Sequence, residues 1–217
     1  MLRGAGLALL GFALAGCAAS GGPGGVAEPS GLPEVDRETG YTGIVVGAAD
    51  SAGWQFGSET AAYRYRFRQI APSGSFSFRD RELSFYFRPS TDALHIQVEN
   101  LTDRPVWIDW DRSTFRVPRE GTTDRVAHAS TRWQDRNGAL APTQIPGMQR
   151  YGDYMFPMSY LVDPGGKDAQ LHRRLLPEDD TAIHYQDAEF GVDLVFNVDE
   201  RPRTYTFRFK VASVIPN

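Results

Sequence analysis

The chain has 217 residues, of which 23 are basic and 27 acidic, and its net charge is −4 at neutral pH. This mild acidity argues against a nucleic-acid partner, because proteins that bind nucleic acids carry a basic surface. The 13 Phe, 9 Tyr and 4 Trp residues supply enough apolar bulk for the core of one domain, whereas the single cysteine excludes a disulfide within the chain.

The N-terminal residues predict a secretion signal. Arg3 supplies one positive charge, and residues 4–16 are apolar or small throughout. This run is too short to span a bilayer, and the Gly/Pro/Ser-rich stretch after it has no stop-transfer charges. We therefore expect residues 1–16 to be a signal peptide.

The only cysteine directly follows this run, and Leu14-Ala15-Gly16-Cys17 resembles the lipobox of bacterial lipoproteins. The resemblance implies a diacylglycerol group on the Cys17 thiol, cleavage after Gly16, and acylation of the new N-terminus, for example with palmitate. Several acyl chains together give stable anchoring to a membrane. Gram-negative lipoproteins retained in the inner membrane tend to have Asp after the cysteine, so Ala18 favours the outer membrane in such a host.

The remaining chain divides into a linker and a β-rich domain. Residues 17–40 have no periodicity and little bulk, which predicts a flexible linker to a domain formed by residues 41–217. Apolar and polar residues then alternate, as in β-strands with one buried face, at 63–68, 83–87, 94–99, 192–197 and 205–211. This pattern predicts an all-β antiparallel β-sandwich, with a closed barrel as the competing architecture.

Turns and irregular stretches separate these strands. Residues 100–104 predict a turn, and residues 199–202 predict the turn of a terminal hairpin. Residues 130–170 interrupt the alternation with four prolines and five glycines. We expect long loops there, where function is often found, and a short helix around residues 169–176.

One segment resembles known sequences. The stretch VENLTDRPVWIDWDRSTF at residues 98–115 is similar to a segment that recurs in uncharacterised bacterial envelope lipoproteins. TDRVAHASTRW at 123–133 and RRLLP at 173–177 fit the same pattern. The resemblance implies an immunoglobulin-like β-sandwich located in the cell envelope, and it implies no activity.

The densest cluster of candidate site residues follows residue 106. In a strand, Trp107, Asp109 and Asp111 share one face, whereas Ile108 and Trp110 share the other. Two carboxylates on one face could bind Ca²⁺, but this ion takes six to eight oxygen ligands, and no EF-hand loop is present. Solvated acids at a strand end therefore explain the pattern better, and we expect neither a metal nor a cofactor.

Aromatic residues raise a second hypothesis. Ring faces stack on sugars, and envelope proteins meet glycans, although buried rings are also the normal core of a disulfide-free sandwich. The rings considered for such a platform are Trp54, Trp107, Trp110, Trp133, Tyr151, Tyr154 and Tyr160. Combined with the acidic cluster, they give the candidate ligand-binding residues Trp107, Asp109, Trp110, Asp111, Tyr151 and Tyr154.

Catalytic patterns are sparse. The four histidines, His95, His128, His172 and His184, lack zinc-site spacing, so locally hydrogen-bonded or surface roles are expected. A Ser–His–Asp triad stays open because its members can be distant in sequence, but no Gly-x-Ser-x-Gly motif is present. The cationic strand at 64–68 is explained by pairing with neighbouring acids, with binding of envelope phosphates as the alternative.

These observations together predict a lipid-anchored, non-catalytic protein of the cell envelope. We expect it to bind or scaffold an envelope protein or a glycan, with the membrane as a partner through the lipid and no nucleic acid. The first alternative is a carbohydrate-binding module that uses surface aromatic residues. The second is an envelope hydrolase whose catalytic residues are dispersed along the chain.

Overall fold

A computed structural model of the protein describes residues 45–46, 55–72 and 74–217. The predicted signal peptide, Cys17, the linker and Trp54 lie outside these residues. The described residues form fourteen strands: β1 (Val45–Val46), β2 (Gln55–Glu59), β3 (Tyr63–Ala71), β4 (Ser77–Arg79), β5 (Leu83–Pro89), β6 (Leu94–Asn100), β7 (Val106–Arg116), β8 (Thr123–His128), β9 (Thr143–Ile145), β10 (Arg150–Pro157), β11 (Leu161–Val162), β12 (Leu171–His172), β13 (Glu189–Val198) and β14 (Arg201–Pro216). Short 3-10 helices span Trp133–Asn137, Met158–Tyr160 and Asp180–Tyr185.

Twelve of these strands form one antiparallel sheet, in the order β1-β2-β3-β14-β13-β7-β8-β10-β6-β5-β4, with β9 paired to β7. Strands β11 and β12 pair separately. Strand β8 connects the two halves of the large sheet. Its first residues, Thr123–Arg125, pair with β7, and its last, Val126–His128, pair with β10.

The sheet folds back on itself, so that strands far apart in its order face each other across the core. Phe87 of β5 lies 4.3 Å from Phe207 of β14 between ring centroids, and 5.3 Å from Phe209. Phe85 lies 5.1 Å from Phe207. These rings are buried. The contacts confirm the predicted all-β, antiparallel, sandwich-like architecture.

The alternating stretches become strands with one buried face. In β3, Tyr65 and Phe67 are fully buried, whereas Arg64 and Arg66 are exposed. Strands β5 and β6 show the same alternation. The terminal hairpin is confirmed as β13–β14, and its two turn residues, Asp199 and Glu200, have positive φ angles of 50° and 61°, as a tight hairpin turn requires.

The prediction of long loops at residues 130–170 is wrong where this segment forms strands β9, β10 and β11, and β10 pairs with both β6 and β8. Pro157 is the last residue of β10, and the other prolines of this segment lie outside the strands. The prolines therefore flank strands without interrupting them. The helix expected at 169–176 is also wrong, because Leu171–His172 pairs as β12 with β11.

The turn predicted at residues 100–104 is built around Asn100, which is fully buried. Its Nδ2 donates to the backbone oxygens of Arg104 at 2.7 Å, and of Ile145 and Pro146 at 3.1 Å each. Its Oδ1 accepts from the backbone N–H and the hydroxyl of Thr102. We call this set of contacts the Asn100 corner. It ties the β6–β7 turn to the segment after β9.

Candidate functional site

The predicted binding residues of β7 lie on two opposite faces of the strand. Trp107 and Asp109 are half-buried and Asp111 is exposed, whereas Trp110 is fully buried in the core. Tyr151 and Tyr154 lie on β10 and are half-buried. The six candidates therefore do not form one surface.

The two acids of β7 interact with separate arginines. Asp111 Oδ1 lies 2.8 Å from the Arg125 guanidinium, and Asp109 lies 4.0 Å from that of Arg112. The backbone N–H of Leu140 also donates to Asp111. Across the described part of the chain, no three His, Cys, Asp or Glu side chains come together as a metal site.

Three of the rings proposed for a sugar platform are buried or covered on one face. Trp110 is 0% exposed, so it belongs to the core and cannot stack on a ligand at the surface. The Arg136 guanidinium lies over the Trp133 ring at 3.9 Å, and that of Arg173 lies over the Tyr160 ring at 4.7 Å. Cation–π contacts therefore occupy faces that a sugar would use.

A different group of side chains converges where β8 ends. His128, the last residue of β8, directs Nδ1 at Asp153 Oδ2 of β10 at 3.0 Å. Their side chains are only 6% and 2% exposed. On the other side of the ring, Nε2 lies 3.3 Å from the hydroxyl of Ser130. The Tyr151 hydroxyl donates to Asp153 Oδ2. We call these residues, with Trp110, the His128 network.

Asp153 is buried as a carboxylate that accepts hydrogen bonds on both oxygens. Oδ2 bonds to His128 and Tyr151, and Oδ1 accepts from the backbone N–H groups of Ala129 at 3.1 Å and Tyr154 at 2.7 Å. Burial alone raises the pKa of this carboxyl, but the hydrogen bonds outweigh burial and hold the pKa below its ordinary value. Asp153 is therefore ionised at neutral pH.

The pKa of Tyr151 is shifted upward, both by burial and by the neighbouring carboxylate. The reason is that the phenolate is poorly solvated there and is repelled by Asp153. Tyr151 therefore stays neutral and remains a hydrogen-bond donor.

Trp110 covers the imidazole of His128. The two rings are stacked with centroids 4.3 Å apart and planes inclined by 12°. The indole Nε1 donates to the Thr143 hydroxyl at 2.8 Å. The imidazole is thus held in one orientation, with Trp110 stacked on its face and Asp153 hydrogen-bonded to Nδ1.

The turn that carries Ser130 is fixed at both ends. The Thr131 N–H donates to the His128 carbonyl at 2.8 Å, and the His128 N–H donates to the Thr131 hydroxyl at 3.0 Å. Gln170 Nε2 donates to the carbonyls of His128 and Thr131 at 2.8 and 2.6 Å. Ser130 itself is exposed. The turn therefore presents one hydroxyl to solvent directly above a buried histidine.

The other three histidines have different surroundings. Burial lowers the pKa of His95 to about 4, with Arg88 adding to the effect, so this ring is neutral at physiological pH. His172 stacks on Phe156 with centroids 4.0 Å apart. His184 is exposed in a 3-10 helix. Among the four, His128 is the one that contacts both a buried carboxylate and an exposed hydroxyl.

Sequence reasoning missed Asp153 and Ser130. The available signal for Asp153 was its alternation with Tyr151 and Met155 on one face of β10, which marks an acid among buried neighbours. The prolines and glycines of residues 130–170 indicate loops there and hide this alternation. For Ser130, the spacing His128-Ala129-Ser130 in a turn was the only hint, and it has no meaning without Asp153.

Comparisons with known proteins add no assignment, since no protein family, curated protein or solved structure matches the chain. Within residues 45–46, 55–72 and 74–217, no helix has the length and apolar composition to cross a bilayer. The functional conclusion therefore depends on the sequence motif at Cys17 and on the geometry of the described domain.

Proposed function

We propose that this chain is a lipid-anchored protein of the bacterial cell envelope whose β-domain serves as a binding or scaffolding module. The anchor is supported by one observation, the Leu14-Ala15-Gly16-Cys17 motif behind an apolar run of signal-peptide length. In a Gram-negative host, Ala18 favours the outer membrane as the site of attachment.

The contact surface that we propose is the β11–β12 pair. Val162 and Leu171 lie opposite each other in this pair and are 40% and 47% exposed. On the other side of the ribbon, Leu161 is buried against Phe156, Ala127 and Met158. One face of the ribbon is therefore held by a small core, while the other presents two adjacent aliphatic side chains to solvent.

An aliphatic pair favours a protein partner over a glycan. Branched aliphatic side chains gain free energy by burial against other apolar groups, whereas sugar recognition relies on open aromatic faces. One ring face of Trp133 and one of Tyr160 are each covered by an arginine. The carbohydrate-binding alternative thus has less support from the geometry than contact with an envelope protein.

The anchor is tested by metabolic labelling with a palmitate analogue. We expect the wild-type chain to incorporate the label and to sediment with membranes, and the Cys17→Ser variant to do neither. If mass spectrometry finds an unmodified Cys17 thiol in the protein isolated from bacterial cells, the proposed lipid anchor is wrong.

The contact surface is tested by crosslinking in intact envelopes. We expect the double variant Val162→Ser/Leu171→Ser to lose crosslinked protein species that the wild type forms. The matched control is Ile183→Ser, which removes an exposed aliphatic residue, 57% exposed, from another part of the domain. If the double variant and the control retain the same crosslinks as the wild type, this surface is not the contact site.

A further inference from the structure

We propose that Ser130, His128 and Asp153 form a nucleophile–base–acid triad that can transfer acyl groups from carboxylic esters. This proposal goes beyond binding or scaffolding and does not depend on the lipid anchor. It gives specific residues to the hydrolase alternative that the sequence left open.

The hydrogen-bond pattern fixes which nitrogen of His128 carries the proton. Asp153 is ionised and can only accept, so the proton of the 3.0 Å bond belongs to His128 Nδ1. Nε2 of the neutral ring is then an acceptor and faces the Ser130 hydroxyl at 3.3 Å. This is the tautomer that a general base needs in order to take the serine proton, and distances in unliganded sites are often slightly long.

The surroundings of His128 stabilise the ring after it has taken that proton. The imidazolium would have the Asp153 carboxylate at its Nδ1 edge, at 3.0 Å, and the Trp110 ring stacked on one face, with centroids 4.3 Å apart. A buried carboxylate and a cation–π contact both favour the charged ring. Tyr151 and two backbone N–H groups hold Asp153 in place, so little reorganisation accompanies the charge transfer.

The turn that carries Ser130 is accessible to a substrate and held rigidly by hydrogen bonds. Ser130 is exposed, so an ester can approach its hydroxyl, while the base beneath it is only 6% exposed. Gln170 and Thr131 bind the backbone on both sides of Ser130, which limits the motion that would separate the hydroxyl from Nε2. A serine on an unconstrained surface loop would lack this arrangement.

The chemical step is ordinary acyl transfer. Ser130 Oγ attacks the ester carbonyl carbon while its proton passes to His128 Nε2. The tetrahedral adduct then expels the alcohol, which takes the proton from His128, and an acyl ester remains on Ser130. Water repeats the sequence, releasing the carboxylic acid and restoring both the hydroxyl and the neutral ring. No oxidant, metal or cofactor enters this balance.

The first experiment measures nucleophilicity with a fluorophosphonate probe on the full chain solubilised in detergent. We expect the peptide that contains Ser130 to be labelled about 100-fold faster than the peptide that contains Ser159, in line with general-base activation. Ser159 is the matched internal control, since it is also an exposed serine in the same region, with Asp124 and Arg173 as its contacts.

The second experiment follows hydrolysis of p-nitrophenyl acetate. We expect Ser130→Ala to lose the activity and Ser159→Ala to retain it, with thermal melting used to establish that both variants are folded. A third test leaves the buried residues intact and uses the variants Ser130→Cys and Ser159→Cys. We expect iodoacetamide to alkylate the thiol at position 130 at least about tenfold faster than the thiol at position 159, because histidine promotes thiolate formation.

Equal labelling of the two serines overturns the proposal. Hydrolysis that stays at the buffer rate in the wild type, or that Ser130→Ala leaves unchanged, overturns it as well.

Discussion

Two buried polar clusters of this domain, the Asn100 corner and the His128 network, are both hydrogen-bonded within the protein, but only the second reaches the surface. Asn100 is fully buried, and its amide bonds to three backbone carbonyls and to Thr102, all within the protein. Asp153 bonds to four donors, yet the chain of contacts continues through His128 to the exposed hydroxyl of Ser130. The first cluster is closed, and the second reaches solvent.

The difference separates a structural role from a chemical one. An amide that bonds only to backbone carbonyls fixes the geometry of a turn and has no group that titrates near neutral pH. A buried carboxylate joined through an imidazole to an exposed hydroxyl can move a proton. We therefore expect substitutions in the Asn100 corner to affect stability alone. In the His128 network, we expect the loss of stability to be smaller the closer the substituted residue lies to Ser130.

The largest effect is expected for Asn100→Asp. The new carboxylate would face the carbonyl oxygens of Arg104, Ile145 and Pro146, and an uncompensated buried charge lowers the free energy of unfolding by about 4 kcal/mol. Urea denaturation measures this loss. The matched control is Asn137→Asp at an exposed position, which should change stability by less than about 0.5 kcal/mol. Similar results for both variants would refute the role assigned to the corner.

The second-largest effect is expected for Asp153→Asn, which should lower the free energy of unfolding by about 3 kcal/mol. One acceptor oxygen becomes an NH₂ group that faces hydrogen-bond donors. The control is Asp193→Asn, which weakens a partly exposed ion pair with Arg208 at 2.9 Å and should remove at most about 1 kcal/mol. Urea denaturation compares the two. If Asp153→Asn is no more destabilising than its control, Asp153 is not a central acceptor of the network.

The pH dependence of the stability of Asp153→Asn tests whether Asp153 is ionised in the folded protein. Because folding lowers the pKa of Asp153 below its ordinary value of 3.8, its ionisation stabilises the folded state above that value. This contribution is lost as the pH falls through the lowered pKa of the folded state. We expect the stability difference between wild type and Asp153→Asn to be constant near neutral pH and to narrow in acid. A constant difference down to about pH 2 would contradict an ionised Asp153.

Tyr151→Phe should have a smaller effect, since it removes one donor to Asp153 and leaves the ring in place. We expect a loss of about 1.5 kcal/mol and a rise in the pKa of Asp153, followed by denaturation and by NMR titration. Tyr63→Phe is the control, because it removes an exposed hydroxyl that bonds to Asp180 at 3.3 Å. An unchanged Asp153 pKa in Tyr151→Phe would show that this hydroxyl does not support the carboxylate.

Ser130→Ala should have the smallest effect on stability, within about 0.5 kcal/mol, because the hydroxyl is exposed and water can replace it at His128. Thermal melting of the variant provides the measurement. A loss above about 2 kcal/mol would mean that the serine is required to satisfy the histidine, and the network would then be as structural as the Asn100 corner.

Much of the fold could be predicted from the chain because the information is local. The alternation of Tyr65 and Phe67 with arginines specifies a buried face directly, and so does the pattern of Leu83, Phe85 and Phe87. Strand β10 could not be predicted in the same way, since Asp153 breaks the apolar pattern on its inner face. Its backbone bonds are completed by β6 and β8, which are distant in sequence.

The candidate site was predicted only in part. Trp110 and Tyr151 were predicted from their aromatic character, and both belong to the His128 network. Trp110 is fully buried and cannot contact a surface ligand as a sugar platform would, and the Tyr151 hydroxyl donates to Asp153. Trp107, Asp109 and Asp111 lie on the opposite side of β7, where arginines face the two acids. Residue type alone does not indicate which face of a strand a neighbouring strand will cover.

The sequence by itself determined the periodic strands, the terminal hairpin and the motif at Cys17, because each depends on residues adjacent in the chain. Only the tertiary structure decided that β8 passes from one half of the sheet to the other and brings His128 beside Asp153, 25 residues later. The physical reason is that a buried charge is stable only where several donors converge. Such convergence arises from strand pairing, which no local pattern specifies.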